Sequence, residues 1–254
     1  MIDVHCHILP RIDDGPESDD IFVEMAKRAV EQGISHLFAT PHHLNGSYEN
    51  AKNKIVSQVR DANNRLGEMN IPLVIHLGQE IRIHREFFLS LRLDELLTYG
   101  DKGRYVLIEF PPGDVPDFSF EVFHELLVDG ITPIIAHPER NRVFMKNPGL
   151  LYEFVEAGAL TQLTAGSIIG RFGRRVNAFA WQIVQHKLAH FIASDAHNLQ
   201  SRGFYLQEAY EAIKKICGIN DFYYLLENTE LLLKGDPVLV EKPNPIRKRI
   251  LKLF

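Results

Sequence analysis

Short apolar runs alternate along the chain with longer stretches in which apolar residues recur every three or four positions. The runs cover positions 2–7, 34–40, 71–78, 104–110, 131–137, 159–164 and 189–194. Each has the length of a buried strand, so seven strands are predicted. After the first, Ser18 is placed to cap a helix that carries Ile21, Phe22, Met25, Ala26, Ala29 and Val30 on one face and stops at Gly33. Further helices are predicted near 48–68, 86–98, 118–129, 147–157, 174–186 and 202–217. Strands separated by helices pair in parallel through crossovers, which leaves a closed barrel or a doubly wound sheet.

Length and composition narrow this picture. A chain of 254 residues suits one α/β barrel domain, 1–254, in which 235–254 forms a tail. Its Pro-rich part, GDPVLVEKPNPI at 235–246, is predicted to lie extended before a short basic C-terminal helix. An apolar fraction of 45% with 24% charged residues argues against disorder. A formal charge of −5 gives no broad cationic face for nucleic acid. Cys6 and Cys217 make neither a disulfide framework nor a paired-cysteine zinc site, so a reducing compartment is expected. With no signal-like start and no apolar run near the ~20 residues of a membrane span, a cytoplasmic protein without membrane insertion is expected.

The chemistry gathers where the apolar runs end. His5 and His7 in DVHCH are two residues apart and share one side of the first strand. The second run leads into ATPHH with His42 and His43, the third into GQEIR with Glu80, and the fourth closes on Glu109 in LIEFPP. The fifth closes on His137 in AHPER, and the seventh leads to Asp195 and His197 in SDAH. In a parallel barrel all strand ends meet at one face, so these residues converge. Left uncompensated there, they would be costly to bury, whereas coordination satisfies them. His5, His7, Asp14, His42, Glu80, Glu109, His137, Asp195 and His197 are nine candidate ligands, enough for two or three divalent ions. Imidazole and carboxylate without thiolate suit manganese, zinc or iron. Several adjacent ions point to hydrolysis and to an anionic substrate. Arg140 and Arg202 lie close in sequence to ligands and are candidate phosphate clamps, ahead of Arg11 and Arg142. His43 is a weaker candidate, because adjacent residues diverge. His36, His76, His84, His124, His186 and His190 are read as structural or solvated.

A cysteine-nucleophile phosphatase needs an arginine six positions beyond its cysteine, where this chain has Ile12 and Tyr223. No Gly-x-Ser-x-Gly elbow or phosphate-binding Lys-Ser/Thr loop occurs either.

The segments MIDVHCHILPRIDDGP, ATPHH, GQEI, LIEFP, AHPERN and SDAHN together resemble the polymerase and histidinol phosphatase (PHP) superfamily over nearly the whole chain. Within it, HCHILPRIDDGP with AHPER is similar to the bacterial metal-dependent protein-tyrosine phosphatases of capsule and exopolysaccharide operons, the CpsB/YwqE type. The resemblance implies a distorted seven-stranded (β/α)7 TIM-like barrel, the PHP fold, with three ions, manganese foremost. It implies that His5, His7, Glu80 and Asp195 hold one ion, that Glu80 bridges to a second held with Glu109 and His137, and that Asp14, His42 and His197 hold the third. It further implies attack on phosphotyrosine by a metal-bound hydroxide without a phosphoenzyme, and a partner tyrosine kinase as substrate. A small-molecule phosphatase such as histidinol phosphatase, a phosphodiesterase or nuclease, and a metal-binding module without turnover are the rivals. The branch-specific segments speak against the enzymes, and the full ligand set against the module.

Overall fold

The computed structural model describes residues 1–246. Its strands are β1 (Ile2–Cys6), β2 (His36–Ala39), β3 (His42–His43), β4 (Val74–Leu77), β5 (Glu80–Arg82), β6 (Tyr105–Glu109), β7 (Thr132–Ala136), β8 (Leu160–Thr164) and β9 (Phe191–Ala193). All seven predicted runs contain a strand; β3 and β5, just beyond the second and third runs, were not predicted. Pro41 is the cause of the first break, since it has no N–H to give to a ladder. Its carbonyl instead accepts the N–H of Glu80 at 3.1 Å, which ties the two break points together. Gly78 permits this approach, because a Cβ there would sit 2.9 Å from the Thr40 methyl.

The strands are parallel and fall into two sheets, β1-β2-β4 and β3-β5-β6-β7-β8-β9, rather than the one seven-stranded ladder expected. The chain passes from one sheet to the other at Pro41 and again at Gly78–Gln79. Between β9 and β1 the described residues show one bridge, Cys6 with Ala196, flanked by bonds from His7 N to the Ala196 carbonyl and from Asp195 N to the His5 carbonyl, both 2.9 Å.

Ten helices complete the fold: α1 (Asp19–Glu31), α2 (Lys52–Glu68), α3 (Phe87–Arg92), α4 (Ser119–Val128), α5 (Arg142–Lys146), α6 (Pro148–Glu156), α7 (Ala165–Ile168), α8 (Arg174–Gln185), α9 (Leu206–Ile216) and α10 (Ile219–Lys234) among the described residues. Ser18 caps α1 as expected, accepting from Ile21 N. The helix predicted near 86–98 ends early, at Arg92, where Asp94 turns left-handed. α5, α7 and α10 were not predicted. α10 was obscured because two of its four buried residues, Asn228 and Thr229, are polar and weaken the apolar stripe. The segment 235–246 has no regular element and is pinned by Tyr105, Asn228 and the His186 carbonyl. The predicted basic helix at the extreme C-terminus lies outside the described residues.

Alternation along the strands divides the core. Val106, Ile108, Ile135, Leu163 and Ile192 join the helices in a large cluster, whereas Leu107, Ile134, Ala136, Leu160, Phe191 and Ala193 form part of a smaller one. With a period of two, Glu109, Gln162 and Asp195 continue the faces of that smaller cluster. The polar residues at the strand ends therefore sit on an apolar plug.

Candidate metal centre

The nine predicted ligand residues converge. His5 Nε2 and His7 Nε2 are 3.1 Å apart, and both face Glu80 Oε2 (3.5 and 3.2 Å) and Asp195 Oδ1 (3.5 Å each). His42, Asp14 and His197 form a second group with His7, with Asp14 Oδ1 3.5 Å from His42 Nε2 and 3.3 Å from His197 Nε2. In a third, Glu80 and Glu109 stand with His42 rather than with His137. Glu109 is drawn toward Arg82, whose guanidinium donates to its Oε2 at 2.7 Å, while His137 Nε2 takes the other oxygen of Glu80 at 2.7 Å. Two of these residues hold costly backbone: His137 (φ 30°) and Asp195 (φ 50°) are left-handed without being glycine.

Supporting groups aim the imidazoles. Nδ1 of His5 meets Gln162 Oε1 at 2.7 Å and Nδ1 of His7 meets Asp13 Oδ2 at 2.7 Å, so with Nδ1 protonated each ring presents a lone pair on Nε2 to the centre. Nδ1 of His197 faces the Asp195 carbonyl at 2.9 Å in the same manner. Asp13, Gln162 and Arg82 were missed by the sequence reading. Asp13 could have been suspected from its place beside Asp14 in a loop already assigned a ligand; Gln162 and Arg82 carry no such signal. His43 is not among the grouped residues, and its Nδ1 accepts the N–H of Asn50 at 3.1 Å.

The arrangement fits divalent cations on its own chemistry. Glu80 Oε2, His42 Nδ1 and His197 Nε2 are buried without a hydrogen-bond partner. His42 Nδ1 and Glu80 Oε2 lie 2.8 Å apart yet out of hydrogen-bonding alignment. Donor atoms that face one another so closely need a shared positive charge. Protons supply part of it: burial opposes charge on His7 and His42, but Asp13 beside the first and Glu80 beside the second raise both above the usual imidazole value. Burial likewise opposes charge on Glu80 and Asp195, and is outweighed by His42 and Arg140 respectively, which hold both carboxyls well below the usual range. His137 and His197 are pushed down to about 4, by burial first and then by Arg140 and His7.

Both predicted arginines lie at the cluster, paired with its carboxylates. Arg140 Nη1 is 2.7 Å from Asp195 Oδ2, and its guanidinium stacks 5.3 Å over the Phe172 ring. Arg202 donates to Asp14 Oδ2 at 3.0 Å and lies 3.4 Å from Asp195 Oδ1. Arg11 turns away to Asp19.

A family model described as "Capsular polysaccharide synthesis, CpsB/CapC" matches residues 1–234. The chain belongs to the CpsB/CapC family. Its relatives there are similar over most of their lengths: the tyrosine-protein phosphatase YwqE of Bacillus subtilis (strain 168) is 45% identical over 254 residues, 100% of this chain and 99% of its own. The tyrosine-protein phosphatase CpsB of Streptococcus pneumoniae is 32% identical over 227 residues, 86% of this chain and 91% of its own. A crystal structure from work on YwqE and CpsB, described as unique metal-dependent tyrosine phosphatases, matches this fold with a TM-score of 0.95 at 45% identity. The match covers 98% of this chain and 100% of that one. Cys6 is buried and hydrogen-bonds the Ala196 carbonyl.

Proposed function

We propose that the chain is a metal-dependent protein-tyrosine phosphatase of capsule or exopolysaccharide synthesis, acting in the cytoplasm on phosphotyrosyl proteins that include a tyrosine kinase. The observation that carries this reading is the buried knot of imidazole and carboxylate donors, several of whose atoms face one another without a hydrogen-bond partner, in a chain 45% identical to a tyrosine-protein phosphatase throughout. Manganese is the proposed ion, with iron or zinc able to use the same donors. His5, His7, Glu80 and Asp195 would hold one ion, Glu80 with Glu109 and His137 a second, and Asp14, His42 and His197 a third. When bound, such ions supply Lewis acidity and bring water toward ionisation near neutral pH, so hydrolysis needs no protein nucleophile.

The chain's own residues do the rest. Asp13 and Gln162 fix which imidazole nitrogen faces inward. Arg140 and Arg202, paired here with Asp195 and Asp14, offer guanidinium donors to phosphate oxygens once those carboxylates serve cations. A departing tyrosinate, whose conjugate acid has a pKa of about 10, can leave with such stabilisation and no strong general acid. Counting β2–β3 and β4–β5 each as one interrupted strand, the same reading takes the two sheets as parts of a distorted seven-stranded PHP barrel closing near Cys6 and Ala196, and 1–254 as one domain with 235–254 as its tail.

The test is a hydrolysis screen of phosphotyrosyl, phosphoseryl, histidinol-phosphate and diester substrates after chelation and manganese restoration. Phosphotyrosyl turnover is expected to vanish on chelation, return with manganese and survive replacement of both cysteines by alanine. Preference for another substrate class, or turnover in the chelated protein, would overturn the reading.

A further inference from the structure

The molecule carries a second concave surface close to the centre that the reaction does not use. Arg142, Met145 and Lys146 from α5 face Arg175, Phe179 and Gln182 from α8 across an open groove of about 420 Å³. Its three cations are exposed and have no carboxylate within ion-pairing distance among the described residues. Other surface cations divide: Arg28, Arg65, Arg92 and Lys187 are paired with carboxylates, while Arg85, Arg104, Lys214 and Lys215 are not among the described residues, so it is the gathering of three such cations in one groove that distinguishes this surface. From position 140 to 182 the chain has six Lys and Arg against two Glu, although its overall formal charge is −5. Arg174 and Arg175 also stand in the first turn of α8, where positive charge opposes the helix dipole. The helix gains nothing from them there, so their charge is available for a ligand.

The groove's other lining is apolar, with Phe179 buried and Met145 half-buried. A cleft between two helices admits an extended peptide and not a flat bilayer. Arg142 follows the proposed phosphate clamp Arg140 by two residues, so their Cα atoms are at most about 7.6 Å apart, roughly two residues of extended peptide. We propose that the α5–α8 groove binds an acidic segment of the substrate protein next to its phosphotyrosine. This rests on the phosphotyrosine reading above and adds to it a selection for sequence context.

The test uses the full-length, manganese-loaded protein and the double variant Lys146→Glu/Arg175→Glu, with Lys146→Gln/Arg175→Gln as a milder pair. Substrates are p-nitrophenyl phosphate, a phosphotyrosyl peptide with neutral flanks, and the same peptide with Asp and Glu on both flanks. For the acidic peptide KM is expected to rise about tenfold in the Glu variant at low salt, less in the Gln variant, and the difference to fade at high salt. Turnover of the other two substrates should match the unaltered protein, which also reports an intact fold. An unchanged KM for the acidic peptide, or an equal rise for all three substrates, would overturn the proposal. So would a loss confined to binding of phosphatidylglycerol vesicles. Binding of the unphosphorylated acidic peptide, read by fluorescence anisotropy, separates the two readings: if no phosphotyrosyl substrate is turned over, weakening in the Glu variant still supports the groove, and equal binding overturns it.

Discussion

Glu80 faces four imidazoles, those of His5, His7, His42 and His137, at 3.5, 3.2, 2.8 and 2.7 Å. A residue so placed is expected to be indispensable to metal retention: Glu80→Ala and His137→Ala should lower bound metal and activity together, whereas His186→Ala, at the end of α8, should change neither. Metal analysis beside kinetics checks this, and wild-type metal content in the first two would remove them from the centre. Asp13 touches a ligand only through His7, so Asp13→Asn should weaken metal affinity by about 10- to 100-fold, less than loss of Glu80. Arg140→Ala and Arg202→Ala should keep the metal and lose about ten- to a hundredfold in kcat/KM each, since a charge-assisted hydrogen bond contributes about 1.5–3 kcal/mol. The two losses need not add if both groups hold one phosphate. Unaltered kcat/KM in both variants would leave phosphate recognition to the metals.

At the scale of elements, Asn141 joins the clamp to the scaffold. Its side-chain oxygen caps α5 by accepting from Val143 N and Phe144 N, while its amide donates to the carbonyls of Pro111 and Asp114. Asn141→Ala removes the cap, which costs about 1 kcal/mol, and leaves carbonyls unpaired at about 1–3 kcal/mol. Denaturant unfolding should therefore show a loss of about 2–4 kcal/mol, and kcat/KM should fall because Arg140 immediately precedes the cap. Wild-type stability would show that solvent replaces these bonds. At Ser18, where the same capping serves only α1, alanine should cost about 1 kcal/mol and leave kinetics unchanged.

Over the whole molecule, the centre couples folding to metal and to protons. The metal-free protein buries carboxylates and imidazoles against one another, so ions that bind only the folded state stabilise it, by about 2.7 kcal/mol at a hundred times Kd. His7 and His42 keep their protons to higher pH than a free imidazole, and must lose them to coordinate. Manganese uptake near pH 7 is thus expected to release protons, and its apparent affinity to fall as pH drops. Without metal the sign reverses: raised imidazoles contribute fully to stability below their unfolded value of about 6.5 and lose that contribution as pH rises through their folded values. Calorimetry in buffers of different ionisation enthalpy measures the proton release, and none at pH 7 would mean that both rings are already neutral in the metal-free protein.

That the side chains of the centre converge was legible in the sequence because most of them end or closely follow an apolar run, where burial is costly without a cation to answer it, although Asp14 lies in the loop beyond the first run. The repeated run-and-helix pattern likewise determined parallel pairing, since consecutive strands joined by a helix must point the same way. Only the tertiary structure decided that Pro41 and Gly78 carry the chain from one sheet into another, because a two-residue strand such as His42–His43 exists through its partner and has no period of its own. The same holds for Gln162 and Arg82: their hydrogen bonds to His5 and Glu109 span 157 and 27 residues, and nothing local marks their far ends. Local pattern encodes which side chains must be hidden. Which of them meet is a matter of distances set by the packed strands.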